Sequence, residues 1–499
     1  MPPTPTRIAI IGGGISGLAA ALRVHELAAE QQRDVQITLL EASDRLGGVL
    51  HTERIGDYLV EHAADMWITN KPEGVRLCER LGLADRLIPT NAQFRKSLVL
   101  RNGRAHPVPE GFQLMVPEQA WPMLRSSLLS WRGKLRLMAE YFVPARRDGA
   151  DESLADFVCR RCGREAFERL VQPLVGGIYT ADPEKLSLLA TLPRFIEMEQ
   201  QHGSLIRGAL HQSRERSSGT SGARYGLFVS LPNGIEELVS ALIARVAQFA
   251  GIHCGVKVRA VRPCGDGRFD VQRDGVGSLF QGGPPSSEAK PFSTGRLEKD
   301  SRPLSAPDQF DAVILAVPSY VAASLLTEGC PTLAAELNRI EYASTVVVAS
   351  GHKLADIEHP LAAFGLVVPH IERRQVLAVS FTSRKFPGRA PDGRVLLRTF
   401  VGGALQPELC ELDDAAILDL VSRELRDLLG VRGEPDFAVP YRHTRAMPQY
   451  HVGHLELVAQ IRAAAAKCPG LALAGNFLTG VGIPDSIASG EAAAAQVMS

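Results

Sequence analysis

Apolar positions along the chain fall into three regimes. Near the start, residues 7–11 (Arg-Ile-Ala-Ile-Ile) form a short run without polar alternation, which predicts a strand covered on both faces. An Ala/Leu-rich helix is expected to about Ala29, then a second buried strand from Val35 to Leu40. Residues 75–88 read as a helix, and Ser97 to Leu100 as a strand ending in the turn Arg101-Asn102-Gly103. The second regime, 119–213, is mainly helical. Leu124, Leu128, Trp131, Leu135, Met138 and Phe142 recur at alternating spacings of four and three, one helical face. Arg125, Arg132, Lys134, Arg136, Arg146 and Arg147 lie between or just after them. Two readings stay open for this basic amphipathic segment: a membrane-surface helix, or a core helix with a solvated basic face.

The third regime is β-rich. Gly255 to Val271 carries short β-runs, and Phe310 to Val317 predicts another buried strand. Val346 to Ser350, Gly365 to Val368, Val376 to Phe381 and Val395 to Phe400 suggest an antiparallel sheet in a second domain. Residues 413–429 and 453–467 read as helices, Leu471 to Ala474 as a closing strand, and a last helix begins near Pro484. Residues 275–308, rich in Gly, Ser and Pro, read as a mobile surface insertion, and 214–222 as a second loose loop. No internal repeat is visible.

Composition narrows the class. The 499 residues suggest about three domains. With 45% apolar and 22% charged residues, and 55 basic against 55 acidic groups, the chain is neither disordered throughout nor built for nucleic acid. Eight cysteines are too few for a disulfide scaffold and fit a reducing cytoplasm. Cys159 and Cys162 form one CxxC without a second ligand pair, so they read as incidental thiols. The run Ile8 to Leu22 resembles a signal peptide, but its 15 residues are too short to span a membrane and hold four glycines.

Those glycines carry the chemistry. Gly12-Gly13-Gly14-Ile15-Ser16-Gly17 is a GxGxxG between strand and helix. The first glycine permits the turn, the second a close backbone approach to pyrophosphate, the third close packing of helix on strand. Glu41 ends the second strand, 24 residues beyond Gly17, where an acid can accept from ribose hydroxyls. It opens an E-x3-R-x-G-G run through Arg45, Gly47 and Gly48. This extension resembles flavoproteins of the amine-oxidase type and favours FAD over a nicotinamide cofactor. GxSxG, HExxH and Walker motifs are absent. His62, His443, His451 and His454 are candidate bases, although a histidine without a partner in the sequence pattern is more often structural.

Later runs resemble one family, the oxygen-dependent protoporphyrinogen/coproporphyrinogen oxidases of haem synthesis. They are Gln172 to Ser187, Leu231-Pro232-Asn233-Gly234, Phe400 to Ala404, Met447 to His454 and, most closely, Gly475 to Asp485. The resemblance implies an α/β fold with a Rossmann-type FAD-binding domain of the amine-oxidase/p-hydroxybenzoate-hydroxylase-like type. A sheet-based substrate domain and a helical, membrane-associated domain would complete it. The expected pieces are 1–75, 214–330 and 456–499 for FAD, 76–118 and 331–455 for substrate, and 119–213 for the helices.

By motif position the resemblance assigns FAD contacts to Gly12, Gly13, Gly14, Ile15, Ser16 and Gly17, and to Glu41, Ala42, Arg45, Gly48 and Val49. It adds Ala63, Ala64, Asp65, Met66, Val258, Asn476, Val481, Gly482 and Ile483. The last helix would point its N-terminus at the flavin N1–C2=O edge. Phe364, Gly365, Val367 and Phe400 would clamp the tetrapyrrole. The chain departs from the family at Ala63-Ala64, where Gly-Pro is usual, and at Ala181, where Gly is usual. Asn91 stands where a propionate-binding base is expected, leaving Lys71, Arg86 or Arg95 as substitutes.

The implied reaction is oxidation of a porphyrinogen in three two-electron steps, with flavin as hydride acceptor and O₂ giving H₂O₂. The cofactor supplies the redox chemistry, so no catalytic residue is named and no metal is expected. The competing readings are an FAD-dependent amine oxidase and a non-catalytic flavin scaffold or haem-trafficking partner. A cytoplasmic protein is expected, with peripheral membrane contact, a homodimer and hand-off to ferrochelatase left open as partner readings.

Overall fold

The computed structural model describes residues 5–117, 120–218, 227–274, 278–281, 296–299 and 308–499. Its first sheet is parallel at the centre. Ala250–Cys254, Val35–Leu40, Thr6–Ile11, Ala312–Leu315 and Leu471–Leu473 lie side by side in that order. The unalternated run at 7–11 is explained by cover on both faces. Ile8 and Ile10 enter one apolar core with the helices Ile15–Glu30 and Ile483–Met498. Ala9 and Ile11 enter another with Ser319–Leu326, Pro331–Asn338 and a three-stranded antiparallel sheet.

The second sheet holds seven strands, ordered Phe437–Pro448, Tyr342–Lys353, Arg394–Gly402, Ala378–Phe381, Gly365–Val367, Ser97–Arg101 and Arg104–Pro107. It is antiparallel except where Gly365–Val367 runs parallel to Ser97–Arg101. One face packs on Asp414–Leu429; the other turns toward the helices of 120–218.

Five expectations need correction. The helix at 75–88 ends at Arg80, because Gly82 turns left-handed at φ +71°; a 3₁₀ turn, Ala84–Arg86, follows. The strand Phe437–Pro448 escaped notice, since this edge strand is half-exposed and rich in Arg, His and Pro. Within 275–308, Ser278–Gln281 and Arg296–Lys299 form a hairpin on the edge of the parallel sheet; nearly all the remainder lies outside the described residues. The helix Leu205–Ser218 reaches into the supposed loop at 214–222, whose last residues also lie outside them.

The fifth correction concerns the apolar stripe. It is cut into Ala120–Arg125, Trp131–Met138 and a 3₁₀ turn Ala139–Phe142. Ser130 caps the second piece by accepting from the Gly133 N–H at 3.1 Å. Its buried side is Gly133, Lys134 and Leu137, so Trp131, Leu135 and Phe142 face outward, 68%, 68% and 79% exposed. Among the described residues, no helix is long and apolar enough to cross a membrane.

Candidate active site

The glycine loop is shaped by what side chains would hit. Gly12 adopts φ +108°, and a Cβ there would lie 2.3 Å from the Ala316 carbonyl oxygen. At Gly17 it would lie 1.9 Å from the Gly12 oxygen, so this glycine lets the helix sit on the strand. Gly14 differs: a Cβ there would meet only the Gly48 Cα, at 4.0 Å. The space above Gly14 is open. No side chain caps the helix that begins at Ile15, and its first turn holds no acid. Free amides, a positive helix end and a cradle between two glycine loops make an anion site of the kind a pyrophosphate needs.

The second loop is fastened to the first. Gly47 N–H donates to the Gly13 carbonyl at 2.8 Å, and Arg45 bonds the carbonyls of Gly48 and Leu50 at 2.6 and 2.8 Å. Arg45 thus holds its own loop in shape. Glu41 accepts from Gly13 N–H at 2.6 Å and from the Ser43 N–H and hydroxyl at 2.8 Å each, at the mouth of the glycine loop. Val258 is the second residue of the strand Lys257–Pro263 beside it, tied by Val256 N–H to the Glu41 carbonyl, and Val49 stands exposed at the loop's edge. These residues fit the adenosine diphosphate half of FAD.

At the opposite end, Gly482 caps the helix Ile483–Met498, and Asp485 accepts its N–H at 3.3 Å. Lys71 neutralises that carboxylate at 2.5 Å. The helix crosses the glycine-loop helix at Gly490, where a Cβ would lie 2.1 Å from the Ser16 oxygen. Tyr450 donates its hydroxyl to the Asn476 carbonyl and stacks on His454. Val481 packs against the helical core that holds Val175, Ala181 and Tyr450.

The seven-stranded sheet meets this place with its half-buried face. Phe364, Gly365, Val367 and Phe400 are all intermediate in exposure, whereas Leu366, Thr399 and Val401 on the other face are fully buried. The helix Gln172–Tyr179 lies opposite, and a Cβ on Gly177 would touch the Val367 methyl at 3.9 Å. Sheet face, glycine-bearing helix and C-terminal loop therefore converge. Ala181, where the family has glycine, is buried in the helical core.

Sequence reasoning missed the ionic cluster behind Ala63 to Met66. Arg398 donates to the Ala63 carbonyl and lies 3.6 Å from Asp65, whose carboxylate meets the Lys385 ammonium at 3.1 Å. Burial alone would lift Asp65, but Lys385 and Arg398 outweigh it and hold the carboxyl below its ordinary range. Next to it, Glu61 accepts from Thr52 at 2.7 Å and from Ile235 N–H at 2.9 Å, with Arg389 at 4.0 Å. Here burial wins, pushing Glu61 up to about 7. Arg398 also lies over the Phe400 ring, so one guanidinium ties the Ala63–Met66 segment to the sheet face.

The other candidates have structural partners. Arg86 pairs with Glu237, and Arg95 donates to the Thr90 carbonyl at 3.3 Å. With Lys71 on Asp485, two of the three proposed propionate cations already face carboxylates. The main chain of Lys385 meets Asn91, whose N–H donates to its carbonyl at 2.8 Å. His62 bonds Glu53 at 3.0 Å, and His443 the His62 carbonyl at 2.9 Å. His454 bonds the Leu478 carbonyl at 3.2 Å, and His451 lies 3.8 Å from Glu341. Burial lowers the pKa of His62, His443 and His454, and each ring already bonds another protein group. Among the described residues, no acid, histidine and cysteine cluster could hold a metal.

The profile described as flavin-containing amine oxidoreductase matches residues 15–498. A coproporphyrinogen III oxidase of Bacillus subtilis is 32% identical over 98% of this chain and 97% of its own length. Protoporphyrinogen oxidase 2 of Arabidopsis thaliana is 28% identical over 99% and 94%. A solved Exiguobacterium structure, provisionally named a protoporphyrinogen oxidase, superposes with a TM-score of 0.81 at 27% identity over 99% of both chains. The chain is thus a flavoprotein that belongs to the flavin-containing amine oxidoreductases and, within them, to the porphyrinogen oxidases.

Proposed function

We propose that this protein oxidises coproporphyrinogen III to the porphyrin, with FAD bound and O₂ as acceptor. The observation that carries the reading is the end-to-end similarity to a coproporphyrinogen III oxidase, at higher identity than to the protoporphyrinogen oxidase relative. Gly12 to Gly17, Glu41, Ala42, Arg45, Gly48, Val49 and Val258 would hold the dinucleotide. Ala63 to Met66, Asn476 and Val481 to Ile483 would hold the flavin ring, which accepts electron pairs from the macrocycle and passes them to oxygen. Phe364, Gly365, Val367 and Phe400 would position the tetrapyrrole on the half-buried sheet face and keep water from it. Arg398 and Lys385 would fix the Ala63–Met66 segment from behind.

Porphyrin fluorescence tests this. FAD-loaded protein in air should release coproporphyrin from coproporphyrinogen, with a higher kcat/KM than for protoporphyrinogen. A higher value for protoporphyrinogen overturns the substrate choice, and no porphyrin from either overturns the reaction.

The outward apolar face of the helical unit supports a second statement: the protein docks on an anionic membrane. Trp121, Trp131, Leu135 and Phe142 are exposed beside Arg125 and Arg132, a composition suited to the headgroup boundary.

A further inference from the structure

Five of the seven strands of the second sheet, from Tyr342–Lys353 to Phe437–Pro448, come from one excursion of the chain out of the parallel-sheet unit, and the root of that excursion is where the chain leaves and returns. It leaves through the helix Pro331–Asn338 into the strand Tyr342–Lys353. It returns from Phe437–Pro448 through the helix His454–Ala465 into Leu471–Leu473. Leu333, Ala334 and Leu337 share one apolar core with Val458, Ile461, Ala464 and Ala465, so the two helices pack together at the root. Cys330 lies one residue before the outgoing helix, and Cys468 three residues after the returning one. They are 138 residues apart in sequence, yet their Sγ atoms stand 2.7 Å apart. Both are free thiols; Cys330 is buried and Cys468 partly exposed.

We propose that Cys330 and Cys468 form a reversible disulfide when the protein meets hydrogen peroxide, and that the bond staples the root of the substrate domain. Cys468, the accessible sulfur, attacks peroxide: its S–O bond forms, the O–O bond breaks, and water leaves. The sulfur is oxidised by two electrons and the peroxide reduced. Cys330 then attacks the sulfenic sulfur; the S–S bond forms, the S–O bond breaks, and the hydroxyl leaves with the Cys330 proton as a second water. Two thiols and one H₂O₂ thus give one disulfide and two waters, and a thiol reductant reverses it. The order follows from access: Cys468 is partly exposed to the oxidant, whereas Cys330 is buried behind it and meets only the Cys468 sulfur. Closing so long a loop restricts the unfolded chain and locks the two root helices.

The test uses FAD-loaded full-length protein, reduced, desalted and treated with stoichiometric hydrogen peroxide in the absence of substrate. This keeps the outcome independent of the proposed activity. Peptide mapping without reductant should recover a Cys330–Cys468 linked peptide, and the melting midpoint should rise by about 5 °C and fall back with dithiothreitol. Cys330→Ser should stop at a sulfenic acid on Cys468 that dimedone traps. Recovery of Cys468 as sulfinic acid without the linked peptide overturns the proposal. So does survival of both thiols, or a linked peptide with no change in melting. Should Cys330→Ser fail to fold, the wild-type map and melting shift decide alone.

Discussion

The glycine-loop unit and the helical unit at 120–218 are both apolar in a regular rhythm, yet they bury opposite things. Around Thr6–Ile11 every apolar residue from Ile8 to Ile11 goes inward, and the polar work is done by backbone amides. In the helical unit, Trp131, Leu135 and Phe142 go outward, and charge goes inward. Glu140, fully buried, accepts from Arg161, the Ser204 hydroxyl and the amides of Leu205 and Ile206. Lys134 is buried with its ammonium on the Leu124 carbonyl at 2.7 Å. Periodicity identifies a face but not the side it turns to. A unit that buries an ionic centre while exposing indole and phenyl rings has the surface that the proposed membrane contact requires.

The largest test of that contrast is in the glycine loop. Gly17→Val would place a side chain inside the Gly12 carbonyl and separate helix from strand, so the protein should fail to fold or melt far lower. Gly14→Val enters open space, so the fold should survive and melt close to wild-type protein stripped of FAD, while FAD is lost on gel filtration, read as absorbance near the flavin band. Equal melting losses in both variants would mean that the space above Gly14 is not a cofactor cradle.

In the helical unit the matching cut is Glu140→Ala. Among the described residues it leaves the buried Arg161 guanidinium with Glu199, at 3.2 Å, as its charged partner, and should cost about 3–5 kcal/mol in denaturant unfolding. Flavin content of the folded fraction should stay unchanged, because the damage lies outside the glycine-loop unit. Loss of flavin in step with stability would join the two regions into one cooperative unit.

Legibility from sequence followed the same division. Glycines in GxGxxG are constrained by backbone chemistry a few residues away, so strand, helix, turn and the place of Glu41 could all be read locally. The apolar stripe had the right period, but its direction depended on Glu140, Arg161 and Glu199, which meet only in three dimensions. Arg398 left a local trace: it interrupts the apolar run Val395 to Val401, and a charge there needs a buried partner. That partner, Asp65, is also held by Lys385 from 320 residues away, and no spacing in the sequence could have named either pair.

A smaller effect concerns pH. Glu61 is lifted from 4.5 to about 7 in the folded chain, so between those values the folded state keeps a proton that the unfolded state has lost. Its contribution to stability is therefore most favourable below about 4.5, and falls as pH rises to about 7, by at most ~1.4 kcal/mol per pH unit. Asp65 acts in the opposite sense, because its depressed pKa contributes stability above the ordinary carboxyl range that is lost on acidification. The difference between wild type and Glu61→Gln, measured by denaturant unfolding from pH 5 to 8, isolates the first slope. A flat difference would mean that Arg389 keeps Glu61 ionised throughout.

The smallest effect on stability should be the most telling about the helical unit. Trp131→Ser, Leu135→Ser and Phe142→Ser each alter a side chain at least two-thirds exposed, so each should shift unfolding by no more than about 0.5 kcal/mol. At Gly12 and Gly17, by contrast, a single methyl group would collide with a backbone carbonyl. If the outward face serves a membrane, the triple variant should keep its melting and its porphyrin fluorescence rate with soluble substrate. It should also lose co-sedimentation with vesicles rich in anionic lipid. Wild-type binding should weaken with salt through Arg125 and Arg132 but not vanish, since the rings contribute a term that salt does not screen. Binding abolished by salt alone would assign the surface to charge and leave the outward rings unexplained. Binding unchanged in the triple variant would move the contact elsewhere and return the stripe to an ordinary solvated face.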